Sequence, residues 1–188
     1  PPKSDQEKDV LPWFTFKRIN PETNIRYRIA NTWRNRDPLA IDLAGDGIKT
    51  VAINTAAPIL FDHNGDGAKS ATGWLDGSDA WLVRDLNDNG NIESGLELFG
   101  VDTDITVNNV TRKATSGFEA LAALDANGDK IFDSEDAAFT QVRLWQDLTQ
   151  NGASDAGELS TLSDAGIASI ALNFTSTNTD LGNGNAIT

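Results

Sequence analysis

Five stretches of the chain begin with Asp and carry further oxygen-bearing side chains at alternate positions. The most complete starts at Asp147: Asp147, Thr149, Asn151, Asp155 and Glu158 fall at positions 1, 3, 5, 9 and 12, with Gly152 at position 6. This is the D-x-[DN]-x-[DN]-G-x5-E pattern of an EF-hand-type loop, in which position 7, here Ala153, lends a backbone carbonyl. A ligand set made only of oxygen suits a hard cation, and calcium in particular. A second loop has Asp125, Asn127, Asp129, Asp133 and Asp136, with Ile131 as the carbonyl donor. Lys130 stands there in place of the turn Gly, which costs about 1 kcal/mol if the backbone needs φ > 0. Asp136, shorter than Glu, is expected to bind through one oxygen. A third loop holds Asp85, Asn87, Asn89, Asn91 and Glu93, but its closing acid, Glu97, falls at position 13. That loop must bulge or close differently. Asp62, Asn64, Asp66 and Ala68 form a good first half without an acid at position 12, so Asp76 or Asp79 would have to close it. Asp42 and Asp46 begin the weakest loop, because Ala44 offers no side-chain oxygen; it is expected to be degenerate or to share ligands with a neighbour.

The five leading Asp residues are 20, 23, 40 and 22 residues apart, a loose internal repeat. A single D-G or N-G pair can mark an ordinary hairpin turn. Five loops in register argue for cation binding instead. Composition points the same way: 21 Asp against 7 Glu, with 16 Gly, is a turn-and-ligand composition rather than a helix-surface one. With no Cys, disulfides and thiolate metal sites are ruled out. The one His, His63, sits at a non-ligand position and is expected to be an exposed side chain without a metal or catalytic role.

The net charge of −13 is unevenly spread. Residues 1–37 carry eight basic and five acidic side chains, and the rest carries seven basic and 23 acidic ones. So acidic a body repels itself without cations and makes a poor nucleic-acid partner. No apolar run is long enough to span a membrane. A chain that begins Pro1-Pro2 and contains no Met reads as a piece of a longer polypeptide, so the lack of a leader says nothing about export.

The elements that must position these loops are short. Residues 13–33 alternate like one or two strands, Thr115–Leu124 has helical spacing behind a Thr or Ser cap, and Ser134–Phe139 reads as a short helix. Strands are expected at Val142–Trp145 and Ile167–Phe174. Trp13, Trp33, Trp74, Trp81 and Trp145 read as core rather than as a sugar or phosphate platform. The expected class is therefore α+β, with short strands and short helices around several EF-hand-like loops. The expected divisions are a basic arm over 1–37, a calcium-binding body over 38–175 and a flexible linker over 176–188.

Asp37-Pro38 adds a different chemistry. An Asp carboxyl can attack its own main-chain carbonyl to close a five-membered anhydride, with the proline nitrogen as leaving group. With 21 Asp and 6 Pro, such a dipeptide is unremarkable by chance; its position, at the switch from basic arm to acidic body, singles it out. The stretches RDPLAIDLAGDGIKTV (36–51), FDHNGDG (61–67), TGW (72–74), RDLNDNGNIESGLELFG (84–100), GFEALAALDANGD (117–129) and VRLWQDLTQNGASDAGEL (142–159) together resemble the calcium-dependent self-processing module of RTX proteins, of the FrpC type. The resemblance implies calcium-dependent cleavage between Asp37 and Pro38, with joining of the new Asp37 carboxyl to a lysine of another chain. It also implies a secreted or cell-surface bacterial protein. Ala44 and Lys130 depart from that family's usual Asp and Gly.

Three readings follow. One is a single-turnover self-cleaving module. Another is a purely structural, calcium-rigidified module of a large adhesin or exoprotein. A dockerin-like interaction module accounts for the last two loops but not for the three before them. A conventional turnover enzyme lacks its parts: with one His no second catalytic imidazole exists, and no phosphate loop is visible.

Overall fold

The computed structural model describes residues 37–176, 178–182 and 185–187, so Trp13, Trp33 and the strands expected over 13–33 lie outside the described residues. In chain order the strands are β1 (Ala40–Ile41), β2 (Thr50–Val51), β3 (Leu60–Phe61), β4 (Ser70–Ala71), β5 (Trp74–Leu75), β6 (Ala80–Arg84), β7 (Asp104–Val107), β8 (Val110–Lys113), β9 (Ile131–Asp133), β10 (Val142–Trp145), β11 (Leu159–Thr161), β12 (Ser169–Ala171), β13 (Thr179–Gly182) and β14 (Asn185–Ile187). One α-helix, α1 (Gly117–Ala122), follows β8.

At the centre is an antiparallel sheet in the order β1-β6-β10-β11. Of its middle strands, β6 is apolar from Ala80 to Val83 and β10 is apolar but for Arg143, the pattern of strands covered on both faces. Alternation sends their side chains to two separate cores. Ala80, Leu82, Val142 and Leu144 face Phe99, Ile105, Leu121, Phe132, Phe139 and Leu162. On the opposite face Trp81, Val83 and Trp145 meet Phe61, Trp74, Leu75, Ile92 and Leu98. Trp74 lies edge-on to both Trp81 and Trp145, with ring centroids 5.4 and 5.6 Å apart. The three described tryptophans are therefore core, as their spacing suggested.

The α+β expectation is overturned. Among the described residues, helix amounts to six-residue α1 and two three-residue 3-10 turns, at Gly95–Glu97 and Phe139–Gln141. The remaining elements are small strands paired mostly in twos. Ser134–Phe139 is not a helix. Asp136 N–H instead donates to Asp133 O and Phe139 N–H to Asp136 O, a pair of tight turns that folds the Asp136 carboxyl back onto its loop. The physical reason is length: apart from the six residues of α1, the intervals between loops supply runs of only two to five residues of regular structure, too short to sustain helices, so they pair as strands. Within the segment expected to be a linker, β13 and β14 pair as a hairpin, and Asn185 Nδ2 reaches the Val51 carbonyl.

Candidate cation loops and the Asp37-Pro38 peptide

The five loops share one backbone. Position 4 has positive φ in all of them (Gly45, Gly65, Asp88, Gly128 and Gln150), and so does position 6 (Gly47, Gly67, Gly90, Lys130 and Gly152). The two left-handed residues curl the chain around the leading Asp. In every loop one oxygen of that Asp accepts the position-6 amide: Gly47 to Asp42 at 2.8 Å, Gly67 to Asp62 at 2.7 Å, Gly90 to Asp85 at 2.7 Å, Lys130 to Asp125 at 3.0 Å and Gly152 to Asp147 at 2.8 Å. The Gly47 amide is the main reason the Asp42 carboxyl lies below the usual carboxylate range. In the last four loops the position-5 side chain also accepts the position-7 amide, from Ala68 to Asp66, Asn91 to Asn89, Ile131 to Asp129 and Ala153 to Asn151. An ordinary two-residue hairpin turn needs none of this.

Closure differs from loop to loop. Glu158 takes the Thr149 and Asp155 amides, one on each oxygen, so it spans positions 3 and 9 of its loop. Asp136 does the same for Ala126 and Asp133. Glu97, one residue late, closes its loop equally well. The 3-10 turn over Gly95–Glu97 swings its carboxylate back onto the amides of Leu86, Glu93 and Ser94. The single extra residue is absorbed by that turn. All three closing acids are buried.

Within the loops the expected ligand side chains already meet. Asn87 and Asn89 both donate to Glu93 Oε2, at 3.2 and 2.9 Å. Thr149 and Asn151 both donate to Asp155 Oδ2, at 3.3 and 2.8 Å. Asn64 reaches Asp66, and Asn127 reaches Asp129 and Glu135 rather than Asp133. Among the described residues no group of three or more His, Cys, Asp or Glu converges as a metal centre. The loops mix carboxylates with amide, hydroxyl and main-chain oxygens, a donor set that fits a hard cation and fits zinc poorly. The residues at positions 1, 3, 5, 9 and 12 of the Asp147 loop, and their counterparts in the Asp85 loop, are the best-assembled holders.

Two expectations need correction. Neither Asp76 nor Asp79 closes the Asp62 loop. Asp76 accepts the Ser78 amide, and Asp79 accepts the Lys49 amide at 2.8 Å, at the end of the Asp42 loop. His63 is half-buried rather than exposed, with its ring edge-on to Phe61 at 5.4 Å.

Lys130 has φ +69°, inside the left-handed region. Lys130→Gly is therefore expected to stabilise the fold by about 1 kcal/mol, raising the melting midpoint by roughly 2–4 °C. Thermal unfolding followed by circular dichroism checks this, and an unchanged midpoint would mean that Lys130 is unstrained.

The Asp37 carboxyl is held from two directions. Oδ1 accepts the Val101 amide at 3.0 Å, and Oδ2 accepts the Gly117 amide at 3.1 Å. Burial pushes its pKa up, against the pull of those two amides. The peptide bond itself passes between two glycines. A β-carbon on Gly100 would sit 3.5 Å from the Pro38 nitrogen and 3.6 Å from the Asp37 carbonyl carbon. One on Gly117 would sit 2.6 Å from Phe99 O and 2.9 Å from Asp37 O. Leu39 N–H donates to Phe99 O at 2.9 Å, which fixes the chain just after the bond.

Both amides that hold Asp37 adjoin candidate cation loops. Val101 lies four residues after Glu97, the closing acid of the Asp85 loop. Gly117 opens α1, whose end runs directly into Asp125 through the Asp125 N–H to Ala122 O bond. Ser116 caps this helix by accepting the Glu119 amide. Glu119 in turn binds Arg112 of β8 and Thr115, and the Arg112 guanidinium beside it holds its carboxyl down at about 2. Spacing could not reveal Val101, Gly100 and Gly117, because they lie more than sixty residues from Asp37 in the chain.

Five turns of one backbone geometry, set around a doubly covered sheet, define a small module of repeated Asp-led loops. The SPM domain family matches residues 39–188, and the chain belongs to that family. It is similar to "Iron-regulated protein FrpA" of Neisseria meningitidis serogroup C, 46% identical over 185 residues, which covers 96% of this chain. The chain spans 16% of that relative's length. Among the described residues no helix is long and apolar enough to cross a membrane.

Proposed function

We propose that the chain is a calcium-binding module of an exported RTX-type bacterial protein, and that it cleaves its own Asp37-Pro38 bond once its loops are loaded. Calcium, when bound, neutralises the loop carboxylates and so allows an acidic body to close. The rest is done by the chain's own residues. Val101 and Gly117 hold the Asp37 carboxyl by both oxygens and limit its rotation. Gly100 and Gly117 leave room for its carbonyl to become tetrahedral. A carboxyl oxygen of Asp37 attacks the Asp37 main-chain carbonyl carbon, the C–N bond to Pro38 breaks, and the proline nitrogen takes the carboxyl proton. Water opens the resulting anhydride and restores two carboxyls. A lysine amine of another protein would open it to an amide and one carboxylate. Holding the reacting groups in place contributes several kcal/mol to such an intramolecular step.

The observation that carries this reading is the double amide hold on Asp37, with each amide tethered to a loop. A calcium-rigidified spacer, the second reading, has no use for it. The test is a gel of the purified chain with and without millimolar calcium. A fragment beginning at Pro38 is expected only with calcium, and none from Asp37→Asn. The burial that raises the Asp37 pKa keeps the proton on the carboxyl to higher pH than in an unfolded chain. At saturating calcium the rate is therefore expected to fall as pH rises through that raised value. An uncleaved wild type would leave the structural reading in its place.

A further inference from the structure

Thr103 stands between the two amides that hold Asp37. Its hydroxyl donates to the Leu98 carbonyl at 2.7 Å and accepts the Gly100 amide at 2.9 Å. Its own amide donates to Gly100 O at 3.0 Å, a third bond within the same turn. Leu98 is a firm anchor: it is buried, it bridges Val83 of β6, and the amide of the next residue, Phe99, donates to Leu82 O of the same strand. Between that anchor and Thr103 lie Gly100, which passes against the Asp37-Pro38 bond, and Val101, whose amide holds Asp37 Oδ1. Residues 99–103 belong to no strand or helix, so the Thr103 hydroxyl supplies the hydrogen bonds that a ladder would otherwise give. The main-chain oxygen of Thr103 accepts the Ala114 amide at 2.9 Å. Ala114 lies three residues before Gly117, whose amide holds Asp37 Oδ2. One residue thus ties the turn bearing the first amide both to the central sheet and to the segment that leads to the second.

We infer that Thr103 is a positioning residue for cleavage at Asp37-Pro38, its hydroxyl setting where Gly100 and the Val101 amide stand against Asp37. This rests on the cleavage reading and adds to it a side chain outside the reacting pair. Without the hydroxyl, Leu98 O and the Gly100 amide lose their partner, and the turn is held by main-chain bonds alone. The Val101 amide then drifts from Asp37 Oδ1. A misplacement of about 1 Å in such an intramolecular step costs up to about a hundredfold in rate. The Val101 amide also helps to hold the Asp37 pKa down, against burial and the nearby Asp102 carboxylate, which push it up. Loosening that amide therefore moves the fall in rate to higher pH.

The test is the rate of appearance of the Pro38 fragment at saturating calcium, measured across pH for the whole chain and its variants. Thr103→Val keeps the shape of the side chain and is expected to cleave roughly tenfold to a hundredfold more slowly, with its pH profile displaced upward. Thr103→Ser restores the hydroxyl and is expected to cleave at close to the wild-type rate with the wild-type profile. Thr103→Ala removes the hydroxyl without setting a methyl group against the Leu98 carbonyl, and it carries the test if Thr103→Val does not fold. A mere loss of folded molecules would scale the profile down without moving it along the pH axis. Wild-type rates in the folded Val or Ala variant, a slowed reaction with an unmoved profile, or no rescue by Ser would overturn the role of Thr103 and leave cleavage standing. An uncleaved wild type would overturn the cleavage reading itself, and this inference with it.

Discussion

Gly117→Ala is expected to slow calcium-dependent cleavage by about a hundredfold or more, with calcium binding by the Asp85 and Asp147 loops unchanged. The added methyl meets three atoms at once: Phe99 O at 2.6 Å, Leu39 Cγ at 2.7 Å and Asp37 O at 2.9 Å. Two of these are main-chain atoms that cannot rotate away. Phe99 O is the acceptor that fixes Leu39, and Asp37 O belongs to the carbonyl that the proposed reaction attacks. The neighbourhood must therefore open by several tenths of an ångström where the reacting geometry is set. The Gly117 amide, 3.1 Å from Asp37 Oδ2, moves with it. Densitometry of the Pro38 fragment over time, beside a calcium titration, separates a positioning effect from a folding defect. Full cleavage by Gly117→Ala would show that the close passage is irrelevant to the reaction. Gly117 is not in the left-handed region, so the effect is one of space and not of backbone strain.

The second large effect is on stability. Asp147→Ala is expected to destabilise the calcium-free protein by on the order of 3–5 kcal/mol. Asp147 is 3% exposed and links a loop to the core. Its Oδ2 accepts both the Trp74 indole N–H at 2.8 Å and the Gly152 amide at 2.8 Å, and its Oδ1 accepts the Asn151 amide at 3.1 Å. Alanine leaves the indole and the Gly152 amide buried without an acceptor, and Trp74 stands between Phe61, Trp81 and Trp145. For a chain of this size the melting midpoint should drop by roughly 10 °C. Asp42→Ala removes the same residue type at the same loop position, but its amide partners lie in an exposed turn that water can reach, so the loss should be much smaller than for Asp147→Ala. Urea unfolding of the two variants without calcium gives the comparison, and equal losses would refute the account. With calcium the gap between Asp147→Ala and wild type should widen, because an ion held by the Asp147 loop adds its stabilisation to wild type and not to the variant.

The sequence alone determined what is local. Each leading Asp meets amides two to five residues ahead, and Glu158 and Asp136 close loops of twelve residues, so spacing encodes those contacts directly. The left-handed backbone at Lys130 was legible for the same reason, since the turn demands it whatever residue stands there. The tertiary structure decided the rest. Packing on both faces of the central sheet turned the intervals between loops into short strands instead of helices. It also brought Val101 and Gly117 to Asp37 across 64 and 80 positions, Trp74 to Asp147 across 73, and Asp79 to Lys49 across 30. A hydrogen bond within a turn is fixed by the chain's own reach, whereas one between distant segments exists only after the core has chosen which segments lie side by side.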